Sequence, residues 1–331
     1  APMPEIIDAY SHVTSEATLD ALEAVHPNAE LDSLRTAPRM VAVDERVEHL
    51  DRHGIDRQVI GQVPSAMWGG VDPAELTEPT RVGNDEIRDI ADAYPDRFVP
   101  IGHVPSLDGE YVDEARRCVE DLDMKGIQIF SNVEGRSPAD EAFEEFWATM
   151  DELSVPVWIH PALPASLDID EGWAWIEKMV TWPNDTSRAV ARLVFSGVLD
   201  RYENVEIVTH HLGGTLPYLV GRLRSWYRTR REEPQLYANP TMADLSEPLE
   251  FYLERVYGDT AVSSVGESYP LQCGLEFFGV DNVLFGYDYP FGPDRGEYWA
   301  GTIQEAIDDL DVSEAEREKI YAGNLEQLLG L

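Results

Sequence analysis

Short runs rich in β-branched and aromatic residues alternate along the chain with stretches whose apolar positions recur at helical spacing. The β-type runs predict strands over 5–9, 58–63, 98–103, 126–130, 155–160, 205–210, 260–262 and 283–286. Amphipathic patterns predict helices over 43–53, 143–153 and 189–199. Another begins near Pro79 and runs to about residue 94. The C-terminal stretch 296–331 reads as two or three helices, with Ser313 placed as an N-cap ahead of Glu316. Strands that alternate with helices in this way favour parallel pairing through crossover helices. An open doubly wound sheet would carry a glycine-rich phosphate loop after its first strand. Here the first strand runs into Asp8-Ala9-Tyr10-Ser11-His12, and neither Gly69-Gly70 nor Gly213-Gly214 completes such a loop. The expected fold is therefore α/β, a closed (β/α)8 TIM barrel.

Length agrees with that reading. The 331 residues fit one barrel domain, 1–331, with C-terminal helices and no composition break that marks a boundary. Segments 63–78 and 162–182 follow the second and fifth strands and are long enough to roof a site. The opening APMPEIIDAY shows neither a basic region nor an apolar core, so no secretory signal is visible. No run of 18 apolar residues suggests a membrane span.

Charge narrows the partners. Sixty-three acidic against 25 basic residues give a formal net charge of −38, which disfavours nucleic acids and anionic membranes. Lysine is confined to Lys125, Lys178 and Lys319, a pattern that looks like a halophile's solubility adaptation. The acids are spread along the chain rather than gathered in a tail, which argues for a packed protein. Two cysteines, Cys118 and Cys273, form no CxxC motif, consistent with a reduced, cytoplasmic setting. Cys118 reads as core filler in a helix.

In a barrel, side chains at the C-terminal strand ends converge on one mouth. Here the first strand ends at His12, the fifth at His160, the sixth at His210 and His211, and the eighth at Asp288. One hydrophobic strand finishing in histidine is readily explained as packing. Three such strands plus a carboxylate form a donor set suited to zinc, manganese or a similar ion, with a position left for substrate. His210 and His211 are adjacent, and strand alternation lets only one face the mouth, so His210 is assigned to packing or to a supporting role. His26, His49, His53 and His103 read as structural or surface residues.

These residues carry a family resemblance. IIDAYSHV resembles the D-x-H-x-H motif of the amidohydrolase superfamily. PVWIHPA, VEIVTHHLGGTLPYLVGRL and VLFGYDYP resemble the fifth-, sixth- and eighth-strand motifs of its aminocarboxymuconate-semialdehyde decarboxylase branch. RVEHLDRHGIDRQVI and RLVFSGVLDRYENVEIV are similar to that branch's approaches to strands two and six. The resemblance implies a barrel enzyme with His12, His160 and Asp288 on one divalent ion, zinc or manganese. Asp288 and His211 would be its acid/base groups. Tyr10 stands where the family's first histidine is usual. With an ordinary pKa of about 10 it is a poor ligand. Three readings stay open: a phenolate ligand, an ion held by His12, His160 and Asp288 alone, or a metal-free site with Tyr10 as proton donor or substrate contact. Arg230 is the best-placed arginine for a substrate carboxylate and Arg39 is a second candidate. Trp68, Trp173, Trp175 and Trp182 sit where roof loops would line a pocket. The implied reaction is metal-dependent, non-oxidative decarboxylation of an aromatic or unsaturated carboxylic acid. Hydrolysis or hydration by the same site is the alternative, and a non-catalytic binding protein on the same scaffold is a third. A homodimer is expected.

Overall fold

The computed structural model describes residues 5–26, 34–35, 38–63, 72–163, 176–236, 242–262 and 268–331. Its strands are β1 (Ile7–Val13), β2 (Arg57–Gln62), β3 (Phe98–Pro100, resumed as Gly102–His103), β4 (Ile127–Phe130), β5 (Val157–His160), β6 (Ile207–Thr209), β7 (Val256–Asp259) and β8 (Val283–Leu284). Each pairs in parallel with the next. Around Ile101 the ladder continues, because Ile101 N–H donates to the Ile60 carbonyl (3.0 Å) and Gly102 N–H to that of Gly126 (2.9 Å). Closure comes from β1 and the chain after β8. Ala9 N–H donates to the Phe285 carbonyl (2.7 Å), His12 N–H to the Tyr289 carbonyl (2.8 Å), and Ser11 bridges Tyr289 in parallel. The sheet is thus a cylinder, as the alternation predicts.

Two apolar layers hold it. Ile7, Ala9, Val59, Val99, Ile101, Trp158, Val208, Tyr257 and Leu284 fill the interior. A larger cluster, including Ile60, Ile129, Phe146, Trp147, Ile159 and Ile207, lies between strands and helices. The main helices are α1 (Glu16–Val25), α2 (Val43–His53), α3 (Thr77–Ala93), α4 (Glu110–Glu120), α5 (Glu144–Leu153), α6 (Trp182–Phe195), α7 (Leu216–Glu232), α8 (Tyr269–Phe278), α9 (Glu297–Asp308) and α10 (Asn324–Leu329). Residues of α10 pack into the interior cluster, and Glu326 pairs with Arg57 at the start of β2 (2.9 Å). That helix therefore seals the barrel end opposite the mouth. Ser313 and Glu316 form the expected capping box. Cys118 is buried on α4, in keeping with core filler.

Two element assignments change. The helix expected over 189–199 begins earlier, at Trp182, and ends at Phe195, because Gly197 takes a left-handed conformation (φ +76°). The seventh strand lies at Val256–Asp259, not 260–262. Gly and Asp weaken the strand signal there. Gly258 is nonetheless required, since a Cβ would sit 2.7 Å from the Phe278 ring. This shift matters chemically, because it makes Asp259 a strand-end residue.

A bulge in β1 prepares the site. Asp8 aligns with Gln58 but Ser11 with Ile60, so β1 carries one extra residue. Ala9 and Tyr10 consequently both join the interior cluster, and His12 is aimed into the mouth. The phenol needs room, and Gly61 on β2 supplies it. A Cβ there would lie 2.9 Å from Tyr10 Cε2 and 3.2 Å from its hydroxyl oxygen. Gly61→Ala is expected to cost about 1–3 kcal/mol by overpacking and to push the hydroxyl off His12. Urea denaturation checks the first effect, and a loss below about 0.5 kcal/mol would show that the ring has space to spare.

Candidate active site at the barrel mouth

The carboxylate of Asp288 joins two histidines. Oδ1 lies 3.1 Å from His12 Nε2, and Oδ2 lies 3.7 Å from His211 Nε2. The backbone is turned for this purpose: Asp288 (φ +58°), His211 (φ +54°) and Leu212 (φ +54°) are all left-handed. Non-glycine residues rarely adopt that region, and those that do gather at functional sites. Burial opposes ionisation of Asp288, but the His12 hydrogen bond and the nearby imidazoles of His12 and His211 outweigh it and hold the carboxyl well below the usual carboxylate range. For His211 burial works against the imidazolium, yet Asp288 and Asp259 raise its pKa above 6.5. The pair is therefore set as carboxylate and proton-carrying imidazole.

His160 keeps a nitrogen lone pair for the mouth, and His12 presents Nε2 there against Asp288. His12 Nδ1 lies 3.3 Å from the Tyr10 hydroxyl, which leaves Nε2 facing Asp288. His160 Nδ1–H donates to the Pro161 carbonyl at 2.7 Å, so its Nε2 is the free nitrogen. Burial lowers the pKa of both, and His12 and His210 push His160 down further. Burial and the Asp288 charge raise the Tyr10 phenol well above 10. Its hydroxyl is directed at His12, an arrangement that suits a hydrogen-bonding support for that ring.

His210 departs from expectation. It is buried, and its ring centroid lies 4.3 Å from that of Tyr10 and 5.4 Å from that of His160. Strand alternation fails as a guide because β6 ends at Thr209. The left-handed turn at His211 and Leu212 then swings His211 back toward Asp288. Both histidines reach the mouth. Asp259, which the sequence reading passed over, organises them. Its Oδ2 lies 3.1 Å from His210 Nδ1, and its Oδ1 accepts from His211 N–H (2.9 Å) and Ala261 N–H (3.0 Å). The available signal was an aspartate closing a strand at the same barrel end.

Arg46 was also missed. This fully buried guanidinium on α2 donates to Ser11 Oγ (3.0 Å), Gln58 Oε1 (2.8 Å), the Arg39 carbonyl (3.2 Å) and the His12 carbonyl. It fixes the backbone that carries His12. Beyond it, on the outer side of the barrel, His49, His53 and Glu297 bring ligand atoms within 4.8 Å of one another. Arg39 goes there rather than to the mouth. Its guanidinium pairs with Glu297 Oε1 (2.7 Å) and donates to the Arg295 carbonyl (2.8 Å), which corrects its reading as a substrate contact. Arg52 meets the same oxygen at 2.6 Å. A carboxylate already neutralised by two guanidinium groups is a weak partner for a cation. Arg230 lies half-buried in the last turn of α7. Its Nε has no hydrogen-bond partner among the described residues. Trp68, Trp173 and Trp175 fall outside the described residues. Trp182 is described, and its ring lies 5.9 Å from that of His160.

His103, at the end of β3, is fully buried, with Nδ1 3.2 Å from both the carbonyl and the Nε2 of Gln128. Burial pushes its pKa down to about 3, so it stays neutral in the fold. In the unfolded chain it takes up a proton near pH 6.5. Below that pH the unfolded state binds more protons, so this contribution is complete above 6.5 and is lost as pH falls, by up to about 1.4 kcal/mol per pH unit. His103→Asn is expected to flatten the decline of stability between pH 6.5 and 5, read from urea midpoints. An unchanged slope would contradict the neutral assignment.

The comparisons agree with this architecture. A family model described as Amidohydrolase matches residues 7–331. A 2-amino-3-carboxymuconate-6-semialdehyde decarboxylase from Dictyostelium discoideum is 30% identical over 291 residues, covering 87% of this chain and 76% of that protein. A gamma-resorcylate decarboxylase from Polaromonas sp. (strain JS666) is 28% identical over 337 residues, 97% of each. The solved 5-carboxyvanillate decarboxylase of Sphingomonas paucimobilis superposes with a TM-score of 0.84 over 99% of this chain and 100% of that one, at 22% identity, and so shares the fold. A dihydroxybenzoic acid decarboxylase from Polaromonas sp. JS666, solved with manganese and 2-nitroresorcinol, is 25% identical, with a TM-score of 0.78 over 99% and 98% of the two chains. A family match that runs from the first barrel strand to the last residue makes this chain a member of the amidohydrolase family.

Proposed function

We propose that this protein is a metal-dependent, non-oxidative decarboxylase of an aromatic or unsaturated carboxylic acid. One divalent ion, zinc or manganese, would be held at the mouth by His12, His160 and Asp288. The observation that carries the proposal is the Asp288 carboxylate set between His12 and His211, in a family whose relatives named above are decarboxylases. The donor types fit an ion, although among the described residues only His49, His53 and Glu297 already bring three ligand atoms within 4.8 Å of one another. His160 is tied at Nδ1 and His12 is occupied there, which leaves two Nε2 atoms as donors. Imidazoles sharing one ion through ~2.1 Å bonds have ring centroids roughly 5 Å apart, and those of His12 and His160 are 5.3 Å apart. When bound, the ion supplies a Lewis acid for the substrate carboxylate and a neighbouring oxygen.

The chain's own groups do the rest. Asp288, a carboxylate at rest, takes up the proton held by His211 and passes it to the carbon that bears the carboxylate. As the C–H bond forms, the C–CO₂ bond breaks and its electron pair returns to the ring or alkene. CO₂ leaves without any redox change. His211 keeps the proton that reloads Asp288. Phe291, with its ring 5.1 Å from His12, Phe130 and Trp182 form an apolar wall for a flat substrate. Trp182 Nε1–H, buried with no partner among the described residues, is a donor for a substrate oxygen. Tyr10 supports His12. A homodimer in a cytoplasmic setting completes the proposal.

The test is incubation of the metal-loaded protein with a panel of hydroxylated aromatic acids, such as 2,6-dihydroxybenzoate and 5-carboxyvanillate, in H₂¹⁸O. The proposal expects stoichiometric CO₂ and no heavy oxygen in the ring product. Heavy oxygen in the product with no CO₂ would instead establish hydrolysis or hydration.

A further inference from the structure

The mouth contains one more imidazole than the ligand set above uses. His210 donates from Nδ1 to Asp259 Oδ2 at 3.1 Å, which leaves Nε2 with a bare lone pair. That nitrogen is buried and has no hydrogen-bond partner among the described residues. Burying an unpaired acceptor is costly, so such an atom points to a missing partner. Its surroundings indicate which. The ring lies 5.4 Å from that of His160, as close as His160 is to His12. A carboxylate behind an imidazole whose other nitrogen is free is the arrangement that orients metal-binding histidines. Tyr10 packs against the same ring at 4.3 Å, while its hydroxyl is taken up by His12 Nδ1.

We propose that His210 Nε2 is a direct donor to the ion at the mouth, together with His12, His160 and Asp288. His210 would then make up for Tyr10, which contributes no imidazole to the site. Asp259 acts through His210 as a positioning residue, fixing the tautomer and the ring. The inference rests on the metal reading of the mouth given above.

The experiment is a Co²⁺ titration of metal-stripped protein, followed by visible absorption and by calorimetry. Wild type is expected to bind one ion at the mouth. His210→Ala and His210→Gln should each weaken binding by ~100-fold or more, and Asp259→Asn by ~10–100-fold, with a changed cobalt spectrum in each case. Adding Tyr10→His to His210→Ala should recover at least tenfold, because it returns an imidazole to the neighbouring position. X-ray absorption on the wild-type protein should count three imidazoles, a readout that needs no variant to fold. Two imidazoles would overturn the proposal. So would wild-type affinity and spectrum in a folded His210 variant while His160→Ala loses the ion, and that outcome would leave the metal reading intact. Failure of wild type to bind Co²⁺ at the mouth would overturn both.

Discussion

Asp288→Asn is expected to lower CO₂ release at least ~10³-fold while leaving the barrel folded. General acid–base groups contribute ~10²–10⁴-fold, and in the proposed mechanism Asp288 combines that role with a charge that two histidines depend on. Asparagine keeps the shape of the side chain but neither carries the proton nor balances His12 and His211, which lie 3.1 and 3.7 Å from its oxygens. The nearby Asp288 carboxylate offsets burial in His211, so without its charge that imidazole gives up its proton more readily. Some stability is lost with the carboxylate, but the barrel should still fold, because His12 and His211 can stay neutral and leave no unpaired buried charge. Steady-state CO₂ release and circular dichroism give the two readouts. Turnover within tenfold of wild type would remove Asp288 from the chemistry.

The largest effect on stability is expected at Arg46. Arg46→Met preserves much of the stem's packing and deletes a fully buried guanidinium. Ser11 Oγ, Gln58 Oε1 and the His12 carbonyl all lose their donor, and contact with the Tyr289 ring, 4.7 Å from the guanidinium carbon, is lost as well. Breaking a buried charged network from one side costs about 3–5 kcal/mol, a large share of a domain's net stability. Because Arg46 holds the backbone of His12, metal affinity should fall with stability. Equilibrium unfolding in urea measures the first and Co²⁺ titration the second. A loss under about 1 kcal/mol would mean that the network relaxes around the gap.

How far the site could be read in advance depended on what each residue's pattern encodes. His12, His160 and Asp288 end hydrophobic strands, and the C-terminal ends of barrel strands share one mouth, so the sequence marks them directly. The closed barrel was legible from alternation for the same reason. Asp259 was lost because Val256–Asp259 contains glycine and aspartate, which dilute a β signal that packing against Phe278 nonetheless demands. Alternation could not place His210, because it holds only within a strand and β6 stops one residue earlier. Arg46 and His49 fall on the buried face of α2, where a helical pattern predicts apolar residues. Their partners, Gln58, Ser11, Tyr287 and Glu297, come from elsewhere in the chain. Arg39 shows the converse: a cation near the site in sequence can be claimed by a distant carboxylate. Trp182, placed in a roof loop by sequence, opens α6 and still borders His160.

The most direct test of the central claim is anomalous scattering from crystals of the manganese- or zinc-loaded protein, collected at the metal's absorption edge. The account predicts one strong peak at the barrel mouth, within bonding distance of His12, His160 and Asp288. A peak at His49, His53 and Glu297 with none at the mouth would contradict it.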